Sequence, residues 1–67
     1  MKLYIKSSQR VRESKLEQQG FEFKSYEYDS DAQREAKKFE SQGYEVKLLR
    51  EQTDTPGLKM YSIWVRN

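Results

Sequence analysis

A nine-residue stretch occurs twice in this chain, 23 residues apart. The first copy, LEQQGFEFK, spans residues 16–24, and the second, FESQGYEVK, spans residues 39–47. Each copy passes from a helix-like run through Gln-Gly into an alternating strand that an aromatic residue leads. A helix–glycine–strand unit that is used twice predicts an architecture. It also predicts that Leu16 and Phe39 are equivalent, each the last buried apolar residue of its helix.

The length and composition limit the class of protein. A chain of 67 residues forms one domain and buries roughly 60% of its unfolded surface, which leaves it marginally stable. The sequence contains neither cysteine nor histidine, so disulfides and the usual zinc sites are excluded. We therefore expect packing, helped by self-association, to supply the stability.

The apolar runs are too short for export or membrane insertion. The opening stretch, residues 1–6, is shorter than the apolar region of a signal peptide. No run approaches the roughly 20 apolar residues that a membrane helix needs. These features predict a soluble cytoplasmic protein that does not contact a membrane.

Charge is unevenly distributed along the chain. Residues 1–20 carry five lysines and arginines against two acids, residues 21–45 carry four against seven, and residues 46–67 carry four against two. The middle is acidic and both ends are basic. This mild division does not by itself indicate a nucleic-acid partner.

The first half of the chain predicts two strands and one weakly supported helix. Residues 3–5 are typical of a short strand, and residues 21–28 alternate as a strand rich in aromatic residues. Residues 9–19 favour a helix by propensity, although their only apolar residues, Val11 and Leu16, lie about 140° apart around it. A long loop or a hairpin arm is the alternative for that segment.

The second half predicts an amphipathic helix and a hairpin. A capping box at residues 30–33 starts the helix, Ala32, Ala36 and Phe39 share one face, and Gly43 ends it. Strands follow at residues 44–51 and 58–66. The turn between them, residues 53–57, contains Pro-Gly, which suits a type II turn.

Together these elements predict an α/β fold of two layers, α+β-like, in the order β-α-β-α-β-β. We expect a four-stranded mixed sheet with both helices on one face and a C-terminal β-hairpin, because right-handed crossovers place successive helices on the same side. Alternation along the strands then assigns each residue to a face. The residues expected under the helices are Leu3, Ile5, Phe21, Phe23, Tyr44, Val46, Leu48, Tyr61, Ile63 and Val65.

The opposite face is expected to be open, because two helices cannot cover both sides. It mixes aromatic, apolar and cationic side chains, and exposed apolar patches usually mark association. We therefore predict a protein partner or self-association, as a homodimer, through this face. The candidate contact residues are Tyr26, Tyr28, Leu49, Met60, Trp64, Lys24, Lys47 and Arg66.

A single-stranded nucleic acid is the alternative partner for the same face. Rings would stack on bases and cations would meet phosphates. The expected stacking residues are Tyr4, Tyr26, Tyr28 and Trp64, and the expected phosphate contacts are Lys2, Lys6, Lys24, Lys47 and Arg66. A small basic cluster at Arg10, Arg12 and Lys15 is better explained as a solvated helix face.

No residue pattern predicts catalysis, a metal or a cofactor. Glu27, Asp29 and Asp31 have a spacing that hard cations accept, but acids at a helix start are already favoured by the helix dipole. Without histidine or cysteine, the commonest general base and the best nucleophile are missing. The three glycines serve turns and caps, so no glycine-rich phosphate loop exists. We expect a non-enzymatic protein with no catalytic residue, no metal site and no cofactor.

The second half of the chain has one partial resemblance. The alanine-bearing helix from Ala32, the Gly43-Tyr44 pair and the closing strand YSIWV at residues 61–65 resemble the helix–strand–turn–strand half of SPOR-type peptidoglycan-binding domains. The first half departs from that family, because one strand rather than two separates the helices. The resemblance covers about half of the chain and assigns no function or binding residue.

Overall fold

The computed structural model describes residues 3–4 and 7–67, with side chains from residue 11 onward. The side chains expected at Lys2, Leu3, Tyr4, Ile5 and Lys6 therefore lie outside the described part. Two helices and three longer strands make up most of the described chain. In chain order the elements are β1 (Leu3–Tyr4), α1 (Ser7–Gln18), β2 (Glu22–Tyr28), α2 (Asp29–Ser41), β3 (Glu45–Thr53) and β4 (Met60–Arg66).

Three antiparallel strands form the body of the sheet. β4 lies in the middle, and it pairs antiparallel with β2 on one side and with β3 on the other. The two residues of β1 run antiparallel to the far end of β3, where Leu3 lies opposite Thr53 and Tyr4 opposite Gln52. β2 is the terminal strand at the other side of the sheet.

The predicted fold class, an α/β arrangement β-α-β-α-β-β with a four-stranded mixed sheet, is wrong. The structure is a small α+β fold built on three antiparallel strands. A two-residue segment takes the place of the expected first strand. Every strand pair in the described part of the chain is antiparallel, so the sheet is not mixed.

The position of β4 explains this difference. β2 and β3 run parallel and are joined through α2, as expected, but they are not neighbours. β4 inserts between them and is therefore antiparallel to both. A central strand has both edges paired and both faces covered, which suits MYSIWVR, the most apolar strand of the chain.

The two helices lie on opposite faces of the sheet. Trp64 packs with Leu16 of α1 on one face, here called the α1 face. Ile63 and Val65 point the other way and are fully buried, which requires cover on that face also. α2 supplies this cover, because it packs across β2, β3 and β4. The expectation that both helices share one face is wrong.

α1 is a regular helix from Ser7 to Gln18, so the alternative of a loop or hairpin arm is excluded. Its C-terminal end docks on the sheet through Leu16, while Val11 remains exposed. The helix therefore has no continuous apolar stripe in its sequence, because within its described part only the C-terminal end packs on the sheet. One buried side chain near the end of the helix carries the contact between the described α1 side chains and the core.

The first copy of the repeat is a Schellman cap. The Phe21 amide donates to the Leu16 carbonyl at 2.9 Å, and the Gly20 amide donates to the Glu17 carbonyl at 3.0 Å. Gly20 has φ of 91°, the left-handed conformation that this cap requires. Leu16 and Phe21 also share a core cluster, which is the apolar contact that accompanies such caps.

The second copy repeats the same hydrogen bonds at the end of α2. The Tyr44 amide donates to the Phe39 carbonyl at 3.1 Å, the Gly43 amide donates to the Glu40 carbonyl at 3.0 Å, and Gly43 has φ of 93°. The Phe39 and Tyr44 rings meet edge-on at 5.9 Å. The equivalence of Leu16 and Phe39 is confirmed at the level of the cap, but Phe39 is only half-buried.

The predicted capping box at residues 30–33 is wrong. α2 begins at Asp29, so the N-cap position falls on Tyr28, which makes no side-chain capping bond. Ser30 lies inside the first turn and cannot cap it. Asp29 and Asp31 occupy that turn, where they favour the positive end of the helix dipole.

The turn before β4 matches its prediction. The Leu58 amide donates to the Thr55 carbonyl at 3.3 Å, and Gly57 has φ of 81°. Pro56 and Gly57 thus occupy the two central positions of a turn whose second central residue is left-handed, as in type II.

A β-bulge in β2 changes which aromatic residues face the core. Phe23 lies opposite Trp64, and Ser25 lies opposite Ile63, the next residue along β4. Lys24 is the extra residue between them. Because side chains alternate strictly in a regular strand, one extra residue reverses the face of everything that follows. Phe23 therefore shares a face with Tyr26 and Tyr28, and its expected place under the helices is wrong.

Replacing either cap glycine should destabilise the fold. We expect Gly20→Ala and Gly43→Ala each to lower the free energy of unfolding by about 1–2 kcal/mol, the cost of a left-handed Cβ. A Cβ would meet open space at Gly43 and only ordinary contact with Arg66 at Gly20, so the penalties should be similar. Urea unfolding measures them, with Gln33→Ala on the exposed side of α2 as control. An unchanged stability for Gly20→Ala would contradict a packed C-terminal end of α1.

Deletion of Lys24 tests the bulge. We expect the free energy of unfolding of the shortened chain to lie within about 1 kcal/mol of the wild-type value. Phe23 and Ser25 already lie opposite consecutive residues of β4, so the deletion removes only a surface ion pair. Deletion of Glu27, within the regular ladder, is the control and should cost about 2 kcal/mol or more. Equal losses for the two deletions would show that Lys24 is part of a regular strand.

Candidate functional site

The register of the strands brings most of the predicted contact residues to the α1 face. Trp64 lies between Phe23 of β2 and Lys47 of β3, and the next pairs along the same face lie beside Ser62 and Met60. Of the eight candidates, all but Lys24 follow this alternation, and Lys24 lies at the bulge. The residues that share the α1 face are Tyr26, Tyr28, Lys47, Leu49, Met60, Trp64 and Arg66.

The predicted exposure of Trp64 and Met60 is wrong. The Trp64 side chain is only 3% exposed, and Met60 is also buried. Trp64 packs with Leu16 and Leu49, and its indole Nε1 donates to the Ser62 hydroxyl at 2.8 Å. Leu16 of α1 covers Trp64, which the prediction of two helices on the other face had left open.

Arg66 is engaged within the chain. Its Nε and Nη2 donate to one Glu45 carboxylate oxygen at 3.2 and 2.6 Å, and its Nη1 donates to the Gln19 carbonyl at 2.7 Å. The guanidinium group also lies 4.5 Å from the centre of the Phe21 ring. Arg66 therefore ties the C-terminal end of α1 to β3 and β4.

The two lysines among the candidates lie at the same end of the sheet. Lys47 Nζ is 5.6 Å from the centre of the Phe21 ring, and Lys24 Nζ is 3.2 Å from Glu22 Oε2. Both contacts are at the surface, where they contribute little stability. Both lysines lie near Phe23, because Lys24 follows it in the chain and Lys47 lies on the far side of Trp64.

Three aromatic side chains of β2 remain exposed beside the covered core. We call Phe23, Tyr26 and Tyr28 the aromatic row; their exposed fractions are 39%, 38% and 44%. The Phe23 and Tyr26 rings pack at 4.8 Å with a 54° tilt, and Phe23 meets the edge of Trp64 at 5.5 Å. The row is thus attached to the core at Phe23 and extends along the terminal strand.

Phe23 was missed as a surface residue, although the sequence carries a signal for it. The aromatic residues of this segment stand at 21 and 23, then at 26 and 28. A regular strand would place these two pairs on opposite faces. When four aromatic residues crowd one short strand, this change from odd to even positions also indicates a bulge, and the bulge is what the structure contains.

The chain segment that carries the aromatic row is acidic. Residues 22–31 contain four acids, Glu22, Glu27, Asp29 and Asp31, and one base, Lys24, which gives a formal charge of −3 in a chain whose net charge is +2. Asp31 pairs with Arg34 at 2.8 Å. Glu22 pairs with Lys24, and Glu27 lies opposite Tyr61 on the other face of the sheet, so Asp29 is the carboxylate of this segment that adjoins the row.

The aromatic row ends at a shallow cleft. Tyr28, Asp29 and Ser30 form one wall, and Gly57, Leu58 and Lys59 of the β3–β4 turn form the other. The walls are joined by a hydrogen bond from the Asp29 amide to the Lys59 carbonyl at 3.2 Å. Asp29 is half-buried there, and its carboxylate forms no salt bridge with any described residue.

The described residues offer no candidate metal site and no candidate membrane-spanning helix. Within this part of the chain, no three acidic side chains gather where they could hold a metal ion. None of its helices is long and apolar enough to cross a membrane.

Truncation of Trp64 should unfold or strongly destabilise the protein. We expect Trp64→Ala to lower the free energy of unfolding by about 3–5 kcal/mol and Leu16→Ala by about 2–5 kcal/mol, because both open the same cluster. Tyr28→Ser, on the same face but exposed, is the control and should change it by less than about 1 kcal/mol. Far-ultraviolet circular dichroism in urea measures all three. Wild-type stability in Leu16→Ala would mean that α1 does not cover Trp64.

Comparison of the chain with known proteins found no match. No protein-family model, no curated protein and no solved structure matches this chain. The partial resemblance to SPOR-type domains therefore has no family match behind it, and we assign nothing from it.

Proposed function

We propose that this chain is a small non-enzymatic binding or adaptor protein that associates with another protein through the aromatic row. The observation that carries the proposal is the exposure of Phe23, Tyr26 and Tyr28, each above a third, beside a core in which Trp64 is buried. Aromatic side chains, tyrosine among them, are enriched at protein interfaces relative to the rest of the surface. They bury a large area when a partner covers them.

The geometry of the rings supports a role in contact. Phe23 is flanked by Trp64 of the neighbouring strand and by Tyr26 of its own strand. A ring that is already held in place loses less conformational entropy when a partner covers it. A partner would therefore gain apolar contact at a modest ordering cost.

Charge separates a protein partner from a nucleic acid. A single-stranded nucleic acid needs cations along its phosphates, and its affinity falls with salt by a log–log slope of about −0.7 for each phosphate neutralised. Near the row, Lys24 instead pairs with Glu22, and the row ends beside the acid Asp29. Lys47 and Arg66 lie by Phe21, and Arg66 is already engaged by Glu45. These contacts favour a protein.

The partner is either a second copy of the chain or another protein. A second copy would give a homodimer and would add buried apolar area to a thin 67-residue core. We also propose that the protein is cytoplasmic. The chain has no cysteine, so its folding does not depend on the oxidising compartment that disulfides need. Cell fractionation tests the location independently of the partner.

A photo-crosslinking amino acid at position 26 tests the function. With benzoylphenylalanine in place of Tyr26, we expect a discrete protein adduct, either at twice the mass of the chain or at the mass of a partner. The same group in place of Lys37, exposed on α2, is the matched control and should give none. Mass spectrometry and gel mobility read the result.

The contradicting outcomes are separate. An adduct that nuclease removes would assign the row to nucleic acid. The absence of any adduct at position 26, or equal adducts at both positions, would reject the aromatic row as a protein-binding surface.

A further inference from the structure

The aromatic row and the cleft at its end form one continuous surface, because Tyr28 belongs to both. We propose that this surface takes an extended, lysine- or arginine-rich segment of a partner protein, with one basic side chain in the cleft against Tyr28 and Asp29. This inference rests on the proposed function and names the chemistry of the partner.

The spacing of the rings fits an extended polypeptide. Because Lys24 is bulged out, Phe23, Tyr26 and Tyr28 are successive side chains on one face of β2. Such side chains repeat about every 6.5–7 Å, and so do alternate side chains of any extended chain. β2 is also the terminal strand of the sheet, so a segment can run beside it without displacing another strand.

The bulge determines where that segment lies. Bulges and lysines on an edge strand discourage strand pairing, and both occur together at Lys24. The following stretch, residues 25–28, has neither a lysine nor a proline and keeps a regular register with β4. The segment is therefore directed to the part of β2 that leads into the cleft.

The charged residues at the cleft determine which charge the bound side chain of the partner should carry. Asp29 is half-buried and offers a carboxylate, and the Tyr28 side chain, 44% exposed, can contact a cation. Lys59 lines the same cleft and opposes a cation. Asp29 is half-buried and therefore held at the cleft, whereas Lys59 is exposed and its long side chain can extend its ammonium group into water. Removing Asp29 and removing Lys59 should therefore change the affinity in opposite directions.

A titration of the full-length chain tests the proposal. The probes are acetyl-KVKVKV-amide, its acidic counterpart acetyl-EVEVEV-amide, and a six-nucleotide thymidine strand, each added to ¹⁵N-labelled protein. We expect the lysine peptide to shift the amide signals of residues 25–30 and 57–59 saturably, and the acidic peptide to shift them little. The shifts should weaken at 0.5 M salt, because the contacts are exposed charges.

Two variants test whether the bound side chain is positively charged. Asp29→Asn should weaken binding of the lysine peptide by about two- to five-fold, and Lys59→Ala should strengthen it by a similar factor. Asparagine is also tolerated at a helix start, and an unchanged spectrum elsewhere confirms that each variant is folded.

Each contrary result has its own meaning. Equal or tighter binding of the acidic peptide, shifts confined to other residues, a preference for the thymidine strand, or no shift with any probe would overturn the inference. If position 26 still crosslinks to protein while the lysine peptide fails, only the basic partner is rejected. If both fail, the proposed function is rejected as well.

Discussion

Burial of β4 on both of its faces is the constraint on which the rest of the structure depends. Ile63 and Val65 need cover on one side and Trp64 on the other, so a single strand requires a helix on each face of the sheet. This strand occupies the central position, with β2 and β3 as its neighbours. Its apolar area contributes at about 25 cal/mol per Å² removed from water, the largest favourable contribution open to so short a chain. The repeated Schellman caps end both helices in the same way and direct the chain into the two strands that flank β4.

Much of the local structure could be predicted from the sequence. The repeat identifies the two left-handed glycines, Gly20 and Gly43, because only a residue without a Cβ adopts that conformation at little cost. The Pro-Gly pair marks the turn before β4, and the alternation of β3 and β4 assigns their faces correctly. Each of these features is set by residues close together in the chain, where propensity and periodicity act directly.

The arrangement of the elements could not be predicted in the same way. The insertion of β4 between β2 and β3 depends on which strand gains most from cover on both faces, a comparison across the whole chain. The position of α1 rests on one side chain, Leu16, which no periodic pattern reveals. The exposed surface therefore differs from the predicted one. Trp64 lies in the core and Phe23 is exposed, so the exposed aromatic side chains form a row along β2 rather than a broad sheet face. A single bulged residue, Lys24, is responsible for the place of Phe23.

The nuclear Overhauser spectrum of the aromatic protons is the most direct measurement of this arrangement. The chain has one tryptophan and three phenylalanines, so the ring signals can be assigned individually. The structure predicts cross-peaks from Trp64 to Phe23, whose ring centres are 5.5 Å apart, and from Trp64 to the Leu16 methyl groups. It predicts none from Phe23 to the methyl group of Ala36. Cross-peaks between Phe23 and Ala36, with none to Trp64, would contradict the bulge, the opposite placement of the helices and the aromatic row together.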